Sequence, residues 1–277
     1  MHVVERSIPV SAALRPWISG ISIATIPAGH GERTVVEPPD HSTTLALRVF
    51  PDEHTDLVVM GPRPRAVYHV GEPGPFCVSA RIQPGRASSL LGRSTASLLD
   101  RAVPLSELWG PPGARLEDEL ARAGSDPVEI DEPLLLARIE RAVMSRLSAL
   151  SPRDQARGDL AHRAGRLLTG HDAAAGGPAL VSATASQLHV SERHLRDLFI
   201  DAVGLSPKHF ARVERLRNVL SYTGNTPWAR AAIELGYYDQ SHLNADFRAM
   251  MGVSTGTYLA GRLPAASRCR LRHSGGR

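Results

Sequence analysis

The chain has 277 residues, 42% of them hydrophobic and 22% charged, with a formal net charge of +4, which suits about two globular domains each able to bury a core. No run approaches the roughly 20 apolar residues of a membrane span, and no basic segment leads into an apolar one at the start, so neither a membrane span nor an export signal is expected and the location is expected to be cytoplasmic. The two cysteines, Cys77 and Cys269, make neither a disulfide framework nor a metal quartet.

Residues 1 to about 110 read as short strands rich in Val, Ile, Leu and Thr, punctuated by Pro and Gly. The predicted strands are 17–26, 43–50, 56–60, 66–69 and 76–82, with helices at 85–99 and 104–109. Cys77 falls in the last strand and is read as a small packing residue in preference to a redox sensor. The histidines His30, His41, His54 and His69 are scattered along the chain, without the paired ligands of a metal-binding barrel. No nucleophile elbow, phosphate-binding glycine loop or zinc-binding helix is present. No metal, cofactor or enzymatic activity is therefore expected.

From residue 114 the pattern turns helical, with helices expected at 114–123 and 132–150. The second carries Leu136, Ile139, Val143, Leu147 and Leu150 along one stripe, which suits either intradomain core or a contact between two copies of the chain. Ser151-Pro152 breaks the chain before a helix at 154–168. The Ala173 to Pro178 run is a loop. Charge divides at the same place. Residues 151–277 carry 17 Lys and Arg against 10 Asp and Glu, leaving 15 against 18 for residues 1–150. A basic half attracts a phosphate backbone by releasing condensed counterions, although an arginine-rich surface without a nucleic-acid partner would show the same surplus.

The segment Ala185 to Phe199 reads as two short helices hinged before Ser191. Ser191 is a good N-cap, and Leu195, Leu198, Phe199 and Ala202 form the buried face of the helix that follows. Arg193, Arg196 and Asp197 fall on the other face. The pattern then recurs. Leu195, Phe199, Gly204, Ser206 and Phe210 return 48 positions later as Leu243, Phe247, Gly252, Ser254 and Tyr258, and His194 returns as His242. The helix before the turn repeats at 47, Ala185 matching Ala232, so the second turn is one residue longer. Gly236 suits a left-handed helix end and Asp239 takes the N-cap place of Ser191. Between the copies, Ser206 and Pro207 start a helix with Phe210, Val213, Leu216 and Leu220 on one side.

Val190-Ser191-Glu192-Arg193-His194-Leu195, Gly204-Leu205-Ser206-Pro207 and Leu235-Gly236-Tyr237-Tyr238-Asp239-Gln240-Ser241-His242-Leu243 resemble the AraC/XylS family of transcription regulators over roughly residues 157–261. A weaker resemblance, carried by Ala13 to Trp17 and Val78 to Gly85, links the first half to N-terminal domains of one subgroup of that family. The resemblance implies an α+β chain: an effector-binding or dimerisation domain over 1–150, rich in β-strands with helices appended, an all-α domain over 151–263 with two helix-turn-helix motifs joined by a linker helix, and a basic disordered tail over 264–277. It implies recognition helices in two successive major grooves on one side of the duplex, about 34 Å apart. Carried across position by position, the DNA-reading residues are Arg193, Arg196 and Asp197 in the first helix and Gln240, Ser241 and Asn244 in the second, with Arg248 as the second helix's firm cation. Ser191, His194 and His242 are read as phosphate contacts or caps, and the two histidines equally as packing residues.

The expected partners are double-stranded DNA, a small-molecule effector at the first domain, a second copy of the chain, and RNA polymerase if the protein activates transcription; no membrane is expected. Two rivals are a DNA-repair or small-molecule-processing enzyme built on the same DNA-binding fold, and a module that binds a protein partner. The first lacks a nucleophile constellation, and footprinting on DNA separates the regulator from the second.

Overall fold

Apolar residues alternate with polar ones along the early strands, and pairing brings them into rows on one face. The structure, a computed structural model, describes residues 4–25, 33–50, 54–71, 76–123, 132–170, 180–221, 232 and 234–267. The strands are β1 (Val4–Ile8), β2 (Ile18–Thr25), β3 (Arg33–Glu37), β4 (Thr44–Val49), β5 (Thr55–Met60), β6 (Val67–Gly71), β7 (Phe76–Ile82) and β8 (Ala102–Pro104). A six-stranded antiparallel sheet runs β1-β2-β7-β4-β5-β8, and β3 pairs with β6 apart from it. Its register sets Ile21, Ala80, Leu45, Val59 and Val103 in one row and Ile23, Val78, Leu47 and Leu57 in the next. All nine are buried in one cluster. Each large aliphatic side chain among them contributes about 1.5–3 kcal/mol by leaving water.

Four helices share that cluster with the sheet: α1 (Ala87–Leu91), α2 (Leu105–Trp109), α3 (Pro111–Ala123) and α4 (Glu132–Ser148), through Leu90, Leu105, Trp109, Leu120, Ile139 and Val143. The helix expected at 85–99 is broken. Gly92 ends α1 at φ 69°, a left-handed position that glycine takes without a Cβ clash, and a 3-10 turn, Thr95–Leu98, follows. The stripe expected on α4 is rotated: Leu135, Ile139 and Val143 are its buried residues, with Leu136 and Leu147 half-buried beside them. Strands β1, β3 and β8 were not expected from the sequence. They are short, lie at a sheet edge or in the separate pair, and carry charged residues or proline, the composition that natural edge strands tend to have.

The remaining helices are α5 (Pro152–Thr169), α6 (Val181–Gln187), α7 (Glu192–Val203), α8 (Pro207–Ser221), α9 (Gln240–Met251) and α10 (Thr255–Leu259). They close a second cluster around Ala161, Leu168, Leu195, Phe199, Phe210, Val213 and Phe247. The loop expected at 173–178 lies outside the described residues, as does most of the helix expected before the second turn, of which Ala232 and Glu234 are helical.

The two clusters meet along an extensive seam. Gly85 (φ +83°) and Gly204 (φ +82°) lie where the two halves approach closely: a Cβ on Gly85 would lie 2.4 Å from the His162 backbone nitrogen, and one on Gly204 would lie 2.8 Å from the Pro62 ring. Ion pairs Arg86–Asp159 and Arg217–Asp40 cross it. The tail expected from 264 onward returns to the first half. Ser267 donates its backbone N–H to the Tyr68 carbonyl at 3.0 Å and accepts from the Val70 N–H at 3.0 Å, while Arg268, Cys269, Arg270 and the rest lie outside the described residues.

Candidate nucleic-acid interface

The repeat read from sequence is reproduced bond for bond. In the first unit, the Val190 N–H reaches back to the Ala185 carbonyl at 3.0 Å, His189 turns the chain at φ 55°, and the Ser191 hydroxyl accepts from the His194 N–H at 3.1 Å. In the second, the Tyr237 N–H reaches the Ala232 carbonyl at 2.8 Å, Gly236 turns at φ 79°, and the Asp239 carboxylate accepts from the His242 N–H at 2.7 Å. Both caps satisfy one of the amides that a helix start leaves unpaired. Offsets of 47 up to Tyr237 and 48 from Asp239 assign the extra residue of the second turn to Tyr238, whose side chain is 90% exposed.

The agreement continues to the far ends. Helix α7 stops at Gly204 and α9 at Gly252, both left-handed, each donating its N–H four residues back. Ser206 then caps α8 by accepting from the His209 N–H, and Ser254 caps α10 by accepting from the Thr257 N–H. Phe199 meets Phe210 edge-on at 5.0 Å, and Phe247 meets Tyr258 edge-on at 5.5 Å. Two matching sets of caps, glycine stops and aromatic pairs build the hinge twice, the second with one more residue in its turn.

Helices α7 and α9 expose the residues expected to read DNA, apart from Asn244. On α7, Leu195, Leu198 and Phe199 are buried while Arg193, His194, Arg196 and Asp197 are exposed. Arg193 and Asp197 face each other at 4.0 Å, an exposed pair of small energetic weight. On α9, Leu243, Phe247 and Met250 are buried while Gln240, Ser241, His242, Ala245 and Arg248 are exposed. Asn244 is half-buried, and its Oδ1 accepts from the Thr255 hydroxyl at 2.7 Å. Neither histidine is half-buried, but His242 lays its ring edge-on against Tyr237 at 5.4 Å. Ser191 is an exposed cap.

The C-terminal ends of both helices dock on the first half of the chain. Thr95, fully buried, donates its hydroxyl to the Ala202 carbonyl of α7 at 3.0 Å. The Ala66 N–H donates to the Met250 carbonyl at 2.8 Å and the Tyr68 hydroxyl to the Met251 carbonyl at 2.6 Å, both on α9. The first and last turns of an isolated helix leave amides and carbonyls without partners. Here the carbonyl ends are tied down and the capped amide ends stay exposed.

Sequence reasoning missed Arg212. From α8 it holds Asp246 of α9 through both carboxylate oxygens, at 2.8, 3.2 and 3.3 Å, and only 8% of the Asp246 side chain is exposed. Asp246 therefore fixes the second unit to the connecting helix. Beside it, burial pushes the Tyr237 hydroxyl up to about 12, with the Asp246 charge adding to the effect. The signal for this pair was weak, because 34 residues separate its members and no local period links them.

A family model described as a helix-turn-helix domain matches residues 184–261. No curated protein matches the chain. Among solved structures, the C-terminal domain of AraT, a response regulator from Geobacillus stearothermophilus, is 22% identical with a TM-score of 0.30, over 46% of this chain and 99% of that one. ToxT from Vibrio cholerae O395 is 11% identical with a TM-score of 0.42, over 87% of this chain and 96% of that one. Unsaturated fatty acid bound wild-type ToxT from Vibrio cholerae strain SCE256 is 13% identical with a TM-score of 0.41, over 90% of this chain and 97% of that one. These likenesses are too distant to carry functional detail. The doubled caps, turns and aromatic pairs, together with the family match, identify residues 184–261 as an AraC-type helix-turn-helix domain.

Proposed function

We propose that the protein is a sequence-specific, DNA-binding transcription regulator in which α7 and α9 enter two successive major grooves on one side of a duplex. The observation that carries this reading is the repetition itself: two helices with buried backs, matching caps and exposed polar faces, joined by one rigid helix. Arg196 and Arg193 would reach guanine acceptors or phosphates, Asp197 the cytosine amine, and Gln240 and Asn244 adenine. Because Thr255 already occupies one lone pair of the Asn244 oxygen, Asn244 would present its amide hydrogens and the remaining lone pair. Ser241, His242, His194, Ser191 and Arg248 would hold phosphate, positioning the helices without specifying sequence.

Residues 1–150 would bind an effector and a second copy of the chain, residues 151–263 the DNA, and residues 264–277 would add basic attraction beyond the docked Ser267. The dimer reading rests on α4, where Leu134 and Met144 are more than a third exposed. RNA polymerase would be a further partner of an activator, and the cytoplasm the place of action. Among the described residues no helix is long and apolar enough to cross a membrane.

Selecting bound fragments from a random duplex pool with the purified chain tests the reading. An enriched motif in two parts is expected, and Arg196→Ala should relax preference at one base position at a cost of about 1–3 kcal/mol. Equal loss on enriched and random DNA would reassign Arg196 to phosphate, and failure to enrich any sequence would reject the regulator.

A further inference from the structure

Two half-buried histidines of the helical half face the first half across the seam, each toward the carbonyl of a proline. His162, on α5, has its Nδ1 3.1 Å from the Pro84 oxygen, next to Gly85, whose lack of a Cβ allows that approach. A carbonyl only accepts, so Nδ1 carries the hydrogen and, in the neutral ring, Nε2 the lone pair. His209, on α8, has the Pro64 carbonyl as its partner from the first half. Its Nε2 is buried without a hydrogen-bond partner. A second proton there would be a buried charged donor with no acceptor, which costs more than an unfilled lone pair.

The groups around both rings are known. His162 faces Arg86 from the first half, with Arg166 and Asp159 on its own helix. It also lines a cavity of about 600 Å³ shared with His41, Arg81, Arg217 and Glu214. Around His209 stand Arg65 from the first half, Arg212 on its own helix and Asp246 on α9, and Arg212 already holds the Asp246 carboxylate. Burial is the largest influence on either ring and, with the arginines, holds both below the ordinary histidine range. Two other histidines are placed differently. His41 crosses the seam from the sheet side, its Nε2 2.6 Å from a Glu214 oxygen, a partner that suits a charged ring. His69, on β6, is held low by burial and by Arg63, with Glu37 4.0 Å away.

We propose that His162 and His209 form an acid-sensitive latch, which closes the seam while both rings are uncharged and loosens when they take up protons. The sign follows from the direction of both shifts. A histidine freed from the seam returns toward about 6.5 and takes a proton before the docked one does. The hold is therefore complete above about pH 6.5 and is lost as pH falls through the lower, docked values. One unit below the free value, a histidine that stays neutral while docked weakens docking by about tenfold. The seam also ties down the carbonyl ends of α7 and α9, so acid would change how the two units are held. The latch goes beyond the regulator reading and does not depend on it.

Hydrogen exchange of the full chain without DNA, resolved by residue and corrected for its intrinsic pH dependence, tests the latch. The reporter is the Ala66 N–H, which bonds the Met250 carbonyl across the seam. The control is the buried Trp109 indole N–H, which bonds the Leu90 carbonyl within the first half. From about pH 7.5 to about pH 5.5, protection of Ala66 should fall by about tenfold to a hundredfold while that of Trp109 holds. His162→Asn with His209→Asn puts an amide N–H in place of each Nδ1–H and cannot take a charge, so most of the fall should vanish. Should this double variant melt early at neutral pH, the rings of His162 and His209 in the unaltered chain must titrate below about 6.5, in step with the loss at Ala66. Protection of Ala66 that holds in acid, an equal fall at Trp109, a fall undiminished in the folded double variant, or rings that titrate at or above about 6.5 would each overturn the proposal.

Discussion

The two helix-turn-helix units share a skeleton and differ in how they are held and in what they show to solvent. In the first, all the buried residues of α7 join the larger helical cluster, to which α9 adds Phe247, Met250 and Met251, the turn is made by His189, and two arginines stand on the exposed face. In the second, Val219, Ala232, Tyr237 and Leu243 form a small cluster of their own, Gly236 makes the turn, Tyr238 is inserted, and a buried ion pair ties α9 to α8. Caps, glycine stops and edge-on aromatic pairs recur at one offset because they set the hinge. The outward residues are free of that demand and have diverged. Geometry is thus common to the units, while anchoring and charge are particular to each.

The widest difference is expected from Arg212→Ala. It strands the Asp246 carboxylate in a buried position and should cost roughly 2–3 kcal/mol in urea unfolding, below the full cost of a buried pair because Arg212 keeps some exposure to water. The damage should fall on the second unit, so amide exchange ought to accelerate in α9 more than in α7. Equal acceleration in both helices would show that the ion pair serves the whole helical cluster.

The shared skeleton makes the opposite prediction for the caps. Ser191→Ala and Asp239→Ala each remove one acceptor from a helix start and should each cost about 1 kcal/mol, measured as shifts in the denaturant midpoint. A much larger loss at Asp239 would mean that its charge, and not its place as cap, holds the longer turn. The smallest effect is expected from Tyr237→Phe. The hydroxyl is buried without a partner, so removing it should change stability by less than about 0.5 kcal/mol. A loss above about 1 kcal/mol would expose a hydrogen bond that Tyr237 makes to water.

What could be read from sequence follows the same division. The repeat was legible because each element of the hinge demands a residue type at a fixed spacing: a hydroxyl or carboxylate at the cap, glycine at the stop, an aromatic in the core. The inner strands were legible from their richness in Val, Ile, Leu and Thr between Pro and Gly breaks. Three features were not. Edge strands β1 and β3 carry charges that hide their periodicity, the break at Gly92 hides within an otherwise helical run, and pairs such as Arg212–Asp246 and His41–Glu214 join residues 34 and 173 positions apart, which no local pattern connects. Asp246 is the clearest case. In the sequence it looks like a negative charge on the second recognition helix; in the fold it is buried and neutralised.

With Asp246 withdrawn and Asp239 engaged as a cap, the imbalance between the units rests on Arg193 and Arg196 of α7 against Arg248 of α9, and on Ala245 in the exposed face. On the proposed function both helices read DNA, and the first contributes more of the affinity. Titrating an enriched duplex at several salt concentrations with two double variants tests this most directly. Arg193→Ala with Arg196→Ala should weaken binding more than Gln240→Ala with Asn244→Ala, and should flatten the dependence of log affinity on log salt by about 0.9 for each phosphate no longer neutralised. The second pair should leave the slope nearly unchanged and blur sequence preference in its own half of the site. A greater fall in affinity and slope for the Gln240 and Asn244 variant would contradict the account.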